Sequence, residues 1–411
     1  MNERTLSVFP SFGMSGEKNQ MIIVEGFINK PAPVPNGNGF SLYLVNKSGR
    51  RITLTTESAD IRCGTQSDAQ NPAGTIWISA RADIPDSSSM NATDRTFDLI
   101  LLEGQDEINR VKGAFHIYDS VAVLIHGFLA SPQTFDSLQM HNDKRLLYLT
   151  FDYEKQNFET AITVLASFKV FIDTELTRKG YSGRFDIVCH SMGAQISRLW
   201  ILNYPNNDNA NAGKVRQWIG IAPVNHGSAG ADGRLVDILA GFLNRPAFTE
   251  LKTYSMTTNL LEQNERYERE NAVRYRIIIG YNGRRRKLFY VWYENDRIPG
   301  FILYLLRRAG FSEGLPVPLS FDGKTKARNL SGKTYFKTYY GDGVVADCHS
   351  MLSYASTDAF DGLNHSTIIR DPDVCELIRL YLVSNPDLRM TGDFENEVEQ
   401  DYHSHDQKNY S

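Results

Sequence analysis

The segment Cys189-His-Ser-Met-Gly193 places a serine between a predicted strand and a predicted helix. A serine hydroxyl becomes an effective nucleophile only when a base removes its proton and a third group orients that base. A sharp strand-to-helix turn, the nucleophile elbow, lifts such a serine above the edge of a sheet and requires small residues two positions away on either side. Gly193 meets this requirement, and Cys189 replaces the usual glycine with a side chain that is still small. We therefore predict that Ser191 is a nucleophile.

The partners of an elbow serine follow it in the chain order serine, then aspartate or glutamate, then histidine. Asp342 stands between two glycines and directly after the strand-like stretch 334–340, where a loop would leave the carboxyl edge of a sheet. His365 lies in a short loop before the last predicted helix. This order predicts a catalytic triad of Ser191, Asp342 and His365.

Other serines and histidines fit the pattern less well. Ser228 has a histidine two residues before it, which would crowd an elbow. His226 precedes the candidate acid, and His349 follows that acid too closely for a strand and a loop to intervene. His190 is expected to point away from the group that takes the serine proton. His365 is therefore the preferred base.

Attack on an ester carbonyl creates a negatively charged oxygen, and N–H donors must already face the position of that oxygen. The residue after the nucleophile, Met192, supplies one such amide. A predicted strand that ends at His126 leads into Gly127 and Phe128. Gly127 permits a close approach of the backbone, and the Phe128 amide would be the second donor. We predict an oxyanion hole formed by Phe128 and Met192, on a turn supported by His126 and Gly127.

The elements that must position these residues alternate between strands and helices from residue 119 onward. Val121–Ile125 is a continuous apolar run, which is typical of a strand buried in a parallel sheet. An amphipathic helix is predicted over 158–176, before Gly180. The alternation predicts a mostly parallel sheet with helices on both faces. Its other predicted strands are 145–151, 184–188, 214–222 and 274–279.

Residues 1–118 have a different pattern, with short strands separated by turn residues and without a long helical period. This pattern predicts a small β sandwich that serves as an accessory domain. The predicted division is a β-rich domain over 1–118, a catalytic domain over 119–385 and a polar tail over 386–411. Insertions that form a cap or a lid are predicted near 230–244 and 284–333.

Composition excludes several classes of protein. The 411 residues include 44 Lys and Arg and 48 Asp and Glu, so a main role in binding nucleic acid is not expected. An apolar run of the roughly 20 residues that a membrane-spanning helix needs is not present. The four cysteines are far apart and have no metal-ligand spacing, so neither a metal site nor a disulfide framework is predicted. The first residues show no standard signal peptide, so a cytoplasmic location is expected, with export by a non-standard route left open.

Five short segments occur in the order in which the lipase-like branch of the α/β-hydrolase superfamily carries its motifs. They are His126–Phe128, His190–Gly193, Ala222–Ser228, Gly341–Val345 and Asn364–Ser366. Over about residues 119–385 the chain resembles bacterial triacylglycerol lipases and GPI-inositol-deacylase-like esterases. The resemblance implies a serine hydrolase that cleaves carboxylic esters through an acyl-enzyme, without a metal or an organic cofactor.

The substrate is less specified than the chemistry. The region 284–311 combines basic residues, aromatic residues and the apolar run Phe301–Leu306, which Arg307 and Arg308 follow. Such a segment is expected either to be a lid that contacts a membrane surface or to be a cap helix packed on the body. The first case implies a lipid ester as substrate and the second a smaller ester.

Two further functions stay open at this point. An acyltransferase would use the same triad and pass the acyl group to an alcohol other than water. A non-catalytic relative would act as a binding module, but such relatives usually lose the serine or the histidine, and both are present here.

Overall fold

The protein is described by a computed structural model over residues 6–27, 40–62, 75–281 and 341–384, except residues 89, 142, 207, 229, 230 and 232–245. Four segments named above lie outside these residues, apart from Ala231 in the first of them. They are the insertions 230–244 and 284–333, the strand-like stretch 334–340 and the tail 386–411.

The chain before residue 119 forms two β sheets that pack face to face. The first sheet has the order β1-β3-β7-β6 and the second the order β2-β9-β8-β4-β5. Alternate residues of both sheets are buried in one shared core, which includes Val24, Ile78, Leu44 and Phe97. The predicted sandwich is therefore confirmed. The strands are β1 Leu6–Phe9, β2 Phe12–Met14, β3 Gln20–Phe27, β4 Phe40–Asn46, β5 Arg51–Thr53, β6 Thr55–Arg62, β7 Thr75–Ala82, β8 Thr96–Glu103 and β9 Asp106–Tyr118.

The chain from Ser120 onward forms a six-stranded sheet in which every neighbouring pair is parallel. Its order is β11-β10-β12-β13-β14-β15. This arrangement confirms the predicted parallel sheet. The strands are β10 Ser120–Ile125, β11 Leu146–Phe151, β12 Phe185–His190, β13 Val215–Ile221, β14 Arg274–Tyr281 and β15 Ser356–Asp361.

Helices cover both faces of the parallel sheet. Successive residues of a buried strand point to opposite faces, so each strand contributes side chains to two cores. Val121 and Val123 of β10 lie in one core with α2 and α3, whereas Ala122 and Leu124 lie in another with α1 and α8. The helices are α1 Asp136–Gln139, α2 Ala161–Glu175, α3 Gly193–Ile201, α4 Pro246–Glu250, α5 Met256–Gln263, α6 Glu265–Glu270, α7 Asp347–Ser350 and α8 Pro372–Val383. Among the described residues, none of the helices has the length and apolar character that crossing a membrane requires.

Local signals in the sequence explain where the two long helices begin and end. The Thr160 hydroxyl accepts the Thr163 amide and caps α2, which a short 3₁₀ turn extends to Gly180 in the left-handed conformation. The predicted start at residue 158 is therefore three residues early. The Asp371 carboxylate caps α8, and Pro372 occupies the first helical position, where its missing N–H costs nothing.

The two parts of the chain contact each other through side chains of both. Phe12 stacks on Tyr181, which follows α2, with ring centroids 5.0 Å apart. Arg95, directly before β8, donates to the Asp119 carboxylate at 2.7 Å, just before the parallel sheet begins. Both side chains of this ion pair are largely buried. The sandwich is therefore fixed to the edge of the sheet at which β10 and β12 begin.

Candidate active site

Ser191 stands in a strained turn between β12 and α3. Its φ angle is +54°, a left-handed conformation that few non-glycine residues adopt. The surrounding backbone holds this conformation, since the Ser191 amide donates to the Ile221 carbonyl at 3.1 Å. The Ser191 carbonyl in turn accepts the Ala194 amide at 3.0 Å. A strained backbone conformation persists only where the surrounding structure stabilises it, and such residues cluster at functional sites.

The residues two positions from Ser191 are small for a geometric reason. A Cβ atom at Gly193 would lie 2.6 Å from the Ile125 carbonyl oxygen and 2.8 Å from that of His126. Cys189 is fully buried, and its Sγ lies 3.6 Å from the Ile219 carbonyl oxygen. Burial raises the pKa of the Cys189 thiol, so the group stays protonated and serves as packing.

The three residues of the predicted triad lie in hydrogen-bond contact. The Ser191 Oγ is 2.9 Å from His365 Nε2, and His365 Nδ1 is 2.6 Å from Asp342 Oδ2. An ionised carboxylate only accepts, so Nδ1 carries the proton and Nε2 is left to accept from the serine hydroxyl. The three side chains therefore form one relay with the polarity that serine activation requires.

The loop that carries Asp342 turns back on itself through a bridge between Gly341 and Ala346. The second carboxylate oxygen, Oδ1, accepts the backbone amides of Val344 and Val345, each at 2.8 Å. Asp342 is almost completely buried. Its two oxygens are thus committed to different tasks, one to the loop and the other to His365.

A compact turn after β15 holds His365. The Asn364 side-chain oxygen accepts the amides of Ser366 and Thr367, and the Thr367 hydroxyl accepts the Asn364 amide at 2.9 Å. The His365 amide donates to the Asp342 carbonyl oxygen at 3.1 Å. The backbone of the candidate base is thereby tied both to its own turn and to the loop of the candidate acid.

The loop after β10 is fixed by His126, which is fully buried. The ring of His126 stacks on Tyr153 at 4.0 Å, and the Tyr153 hydroxyl donates to the His126 carbonyl at 2.7 Å. His126 Nδ1 donates to the Gly127 carbonyl, and Nε2 accepts the Tyr153 amide. Only a neutral ring makes both bonds, and burial lowers the pKa of His126 accordingly.

The two predicted oxyanion donors lie on the loop after β10 and on the elbow. A Cβ atom at Gly127 would be 2.7 Å from the Ser191 Cβ, so this loop passes directly beside the serine. Within the described parts of the chain, neither the Phe128 amide nor the Met192 amide donates a hydrogen bond to the protein. The Phe128 ring packs edge-on against Phe158 and Phe248.

The order of the site residues along the sheet decides the fold. Ser191 follows β12, whereas Asp342 lies beyond β14 and His365 follows β15, all at the carboxyl edge of one parallel sheet. A strained serine elbow in this position, with the acid and the histidine behind it in that order, defines a known architecture. The fold is that of the α/β hydrolases.

Comparison with known proteins gives likenesses in structure only. The sequence matches no protein-family model and no curated protein sequence. Similar solved structures include a Bacillus licheniformis lipase in its mature form, at 14% identity and a TM-score of 0.38, covering 65% of this chain and 92% of the lipase.

Two further similar structures are a phospholipase and an esterase. Phospholipase PlaB from Legionella pneumophila is 15% identical with a TM-score of 0.40 and covers 65% of this chain. The chain spans 60% of the length of that phospholipase. A metagenomic carboxyl esterase is 13% identical with a TM-score of 0.41, covering 64% of this chain and 75% of the esterase.

The residues that the sequence ranked lower have structural contacts instead. The Ser228 hydroxyl donates to the Val344 carbonyl at 2.5 Å, and so supports the loop of the candidate acid. His226 lies between Glu262 and the Met351 carbonyl. The expectation that His190 points away from the base is wrong, because its ring lies against that of His365 with centroids 4.8 Å apart. Sequence spacing around Ser191 gave no signal for this contact.

Proposed function

We propose that the chain is a serine hydrolase that cleaves carboxylic esters through an acyl-enzyme on Ser191. The observation that carries the proposal is the relay of two hydrogen bonds, 2.9 Å from Ser191 Oγ to His365 Nε2 and 2.6 Å from His365 Nδ1 to Asp342. A serine, a neutral histidine acceptor and a buried carboxylate in this order provide a nucleophile, a base and a group that orients the base.

The first half of the proposed reaction transfers the acyl group to the protein. Ser191 Oγ attacks the ester carbonyl carbon while its proton moves to His365 Nε2. Asp342 stabilises the positive charge that the ring then carries. His365 gives the proton to the alcohol oxygen, the bond between that oxygen and the acyl carbon breaks, and the alcohol leaves.

The second half returns the protein to its starting state. A water molecule loses a proton to His365 Nε2 and attacks the acyl carbon of the ester on Ser191. The bond to Ser191 Oγ then breaks, the serine regains its proton from His365, and the carboxylic acid leaves. Both halves form a negatively charged oxygen on the acyl carbon, and we assign the backbone N–H groups of Phe128 and Met192 as the donors of hydrogen bonds to that oxygen.

An apolar acyl group fits the surroundings of the site. Two half-buried phenylalanine rings, Phe158 and Phe248, pack against the half-buried ring of Phe128 on the loop of the proposed oxyanion hole, with centroids 5.9 Å and 5.1 Å from it. We infer a substrate that is a lipid ester or a small ester with an apolar acyl part. The predicted membrane contact through 284–311 lies outside the described residues and stays a prediction.

The proposal is tested with a fluorophosphonate probe and a panel of nitrophenyl esters of increasing acyl length. We expect the wild-type protein to be labelled and to turn over esters, and the Ser191→Ala variant to lose both. Ser384→Ala, which changes an exposed serine at the end of α8, is the matched control and should behave as wild type. Turnover by Ser191→Ala at the wild-type rate would refute the assignment.

The same panel separates the remaining functions. A protein that the probe labels, that releases no acid from the esters in water and that turns them over once an alcohol is added would favour an acyltransferase. Absence of labelling in a folded wild-type protein would favour a binding module, because a probe of this class requires an activated serine.

A further inference from the structure

His190 contacts the proposed base from a direction that the triad leaves open. The residue is buried at the end of β12, and its ring centroid lies 4.8 Å from that of His365, with 39° between the ring planes. His190 Nε2 lies 3.0 Å from the His365 carbonyl oxygen. The side chain thus contacts both the ring and the backbone of His365.

The hydrogen-bond pattern fixes which nitrogen of His190 carries the proton. A carbonyl oxygen only accepts, so Nε2 donates and Nδ1 is the unprotonated nitrogen. Nδ1 is buried and has no hydrogen-bond partner among the described residues. It faces Gly127, where an added Cβ atom would lie only 2.9 Å away.

Burial, and then the neighbouring His365, lowers the pKa of His190 to about 3. The ring is therefore neutral at the pH at which His365 has to accept a proton. A neutral neighbour adds no fixed positive charge beside a base that becomes positive during the reaction. His190 is thus available as a hydrogen-bond donor and a packing surface throughout the cycle.

The bonds within the triad leave one motion of His365 unopposed. Asp342 binds Nδ1 and Ser191 binds Nε2. Hydrogen bonds to ring nitrogens lie nearly in the plane of the ring, so neither bond resists rotation of the His365 ring about the line that joins Nδ1 and Nε2. The His190 ring lies against the His365 ring, with centroids 4.8 Å apart. Its bond to the His365 carbonyl also complements the bond from the His365 amide to the Asp342 carbonyl, so both backbone polar groups of the base have partners.

We propose that His190 is a positioning residue, whose Nε2–H holds the backbone of His365 so that the Nε2 of His365 stays within reach of the Ser191 hydroxyl. This role rests on the proposed function, because it matters for turnover only if His365 acts as the base. Small displacements of a catalytic group are costly: a shift of about 1 Å lowers rates by about 100-fold.

A matched pair of amide variants tests the role. The side-chain nitrogen of glutamine is three bonds from Cβ, as Nε2 is in histidine, whereas that of asparagine is only two. His190→Gln should therefore keep the donor to the His365 carbonyl, and His190→Asn should lose it. We measure kcat and KM on a soluble short-chain nitrophenyl ester, with active sites counted by the fluorophosphonate probe.

We expect His190→Asn to lower kcat per active site by about 10- to 100-fold with KM nearly unchanged, and His190→Gln to retain most of the wild-type kcat. A residue that only fills space would instead lower the melting temperature and the number of active sites in both variants. Wild-type kcat per active site in His190→Asn, or equal losses in both variants, would overturn the proposal.

A measurement on the wild-type protein decides the case if the variants do not fold. In the ¹⁵N NMR spectrum of labelled protein, His190 should be neutral with its proton on Nε2 from pH 5 to 8. A proton on Nδ1 would exclude the bond to the His365 carbonyl and end the proposal. Failure of Ser191→Ala to stop turnover would overturn the proposed function itself, so the two failures are distinguishable.

Discussion

Three histidines surround Ser191, and their hydrogen bonds give each a different capacity to exchange a proton. His126 and His190 each donate one ring N–H to a backbone carbonyl and are buried. His365 is less buried, and its two nitrogens face a carboxylate and a hydroxyl. At the scale of the residue, two rings are therefore part of the scaffold and the third is suited to chemistry.

The buried rings predict a loss of stability in mild acid. A histidine in the unfolded chain binds a proton below a pKa of about 6.5, whereas folding lowers the pKa of His190 to about 3. Between these values the unfolded state binds more protons, so stability decreases as the pH falls and the effect is absent above about pH 7. Between pH 6.5 and 5 the unfolding free energy of the wild type should therefore fall by about 2 kcal/mol more than that of His190→Gln.

Urea unfolding curves at several pH values measure this effect. His141 is exposed, and His141→Gln, which makes the same substitution at the surface, is the matched control. The same slope in His190→Gln and wild type would show that the His190 ring is charged in the folded protein.

Substitution of Asp342 by asparagine should disturb the orientation of the His365 ring without disturbing the fold. In Asp342→Asn the amide oxygen can still accept from Val344 and Val345, but the amide nitrogen then faces His365 Nδ1 and cannot accept its proton. The ring is held in the wrong tautomer, and kcat should fall by about 10⁴-fold. Circular dichroism should show a folded protein that melts close to wild type.

Asp371→Asn is the control for this substitution, because asparagine caps a helix about as well as aspartate. It should retain wild-type turnover. Asp342→Asn with more than a tenth of wild-type kcat would remove Asp342 from the relay.

At the scale of the elements, burial decided which strands the sequence could predict. Five strands of the parallel sheet, β10 to β14, were predicted because their apolar runs mark them clearly. The sixth, β15, has the sequence Ser356-Thr-Asp-Ala-Phe-Asp361 and lies half exposed at the sheet edge, so it carries no apolar run. The first residues of β9, Asp106–Lys112, are also mostly polar and exposed, so the sequence does not mark them as a strand.

The candidate site was predicted to the extent that it follows chain order. Ser191, Asp342 and His365 meet as expected because parallel strands bring their carboxyl ends to one edge. The contacts around them, such as the stack of His126 on Tyr153, join residues from different loops. Spacing along one chain contains no information on such contacts, so the supporting role of His190 needed the structure.

The elbow itself predicts a sharp difference between two glycines. Gly193→Ala would place a Cβ atom against the backbone oxygens of Ile125 and His126, which belong to a buried strand end and cannot move freely. Gly213→Ala meets no atom within 4 Å. We expect Gly193→Ala to lower the unfolding free energy by about 3 kcal/mol and Gly213→Ala to change it by less than about 0.5 kcal/mol.

Urea unfolding monitored by tryptophan fluorescence compares the two variants. Equal stability of both would show that the helix after the elbow can shift away from β10 without cost.

The turn that carries His365 predicts a loss of rate without a loss of binding. Asn364→Ala removes the acceptor of the Ser366 and Thr367 amides, so the position of His365 becomes less defined. Asn364→Asp keeps an acceptor at the same place. We expect kcat to fall by about 10-fold in the alanine variant and by much less in the aspartate variant, with KM unchanged in both.

Steady-state kinetics on the soluble nitrophenyl ester measure both constants. A rise in KM as the main effect of Asn364→Ala would indicate that the turn contacts substrate instead of positioning the base.

At the scale of the whole molecule, the junction between the sandwich and the parallel sheet is built from buried polar groups. Arg95 donates to the Asp119 carboxylate and to the Ser87 carbonyl, and the Ser87 hydroxyl donates to the same carboxylate. Arg216 donates to the Asp119 carbonyl at 3.2 Å and pairs with Asp186 within the sheet. One polar network thus runs from the start of β8 to the amino end of the parallel sheet, opposite the edge that carries Ser191.

This network predicts that the two parts of the chain unfold together and that Arg95 couples them. Arg95→Met keeps much of the side-chain volume but leaves the Asp119 carboxylate buried without its cation, which should lower the unfolding free energy by about 3 kcal/mol. Arg110→Met breaks an exposed pair with Glu107 and is the matched control, with no measurable change.

Calorimetry should show one transition for wild type and a lower melting temperature, or two separate transitions, for Arg95→Met. Because the junction lies at the opposite edge of the sheet from Ser191, turnover per folded molecule should stay at the wild-type level. Two transitions in the wild-type protein would show that the sandwich and the parallel sheet are stable independently of this ion pair.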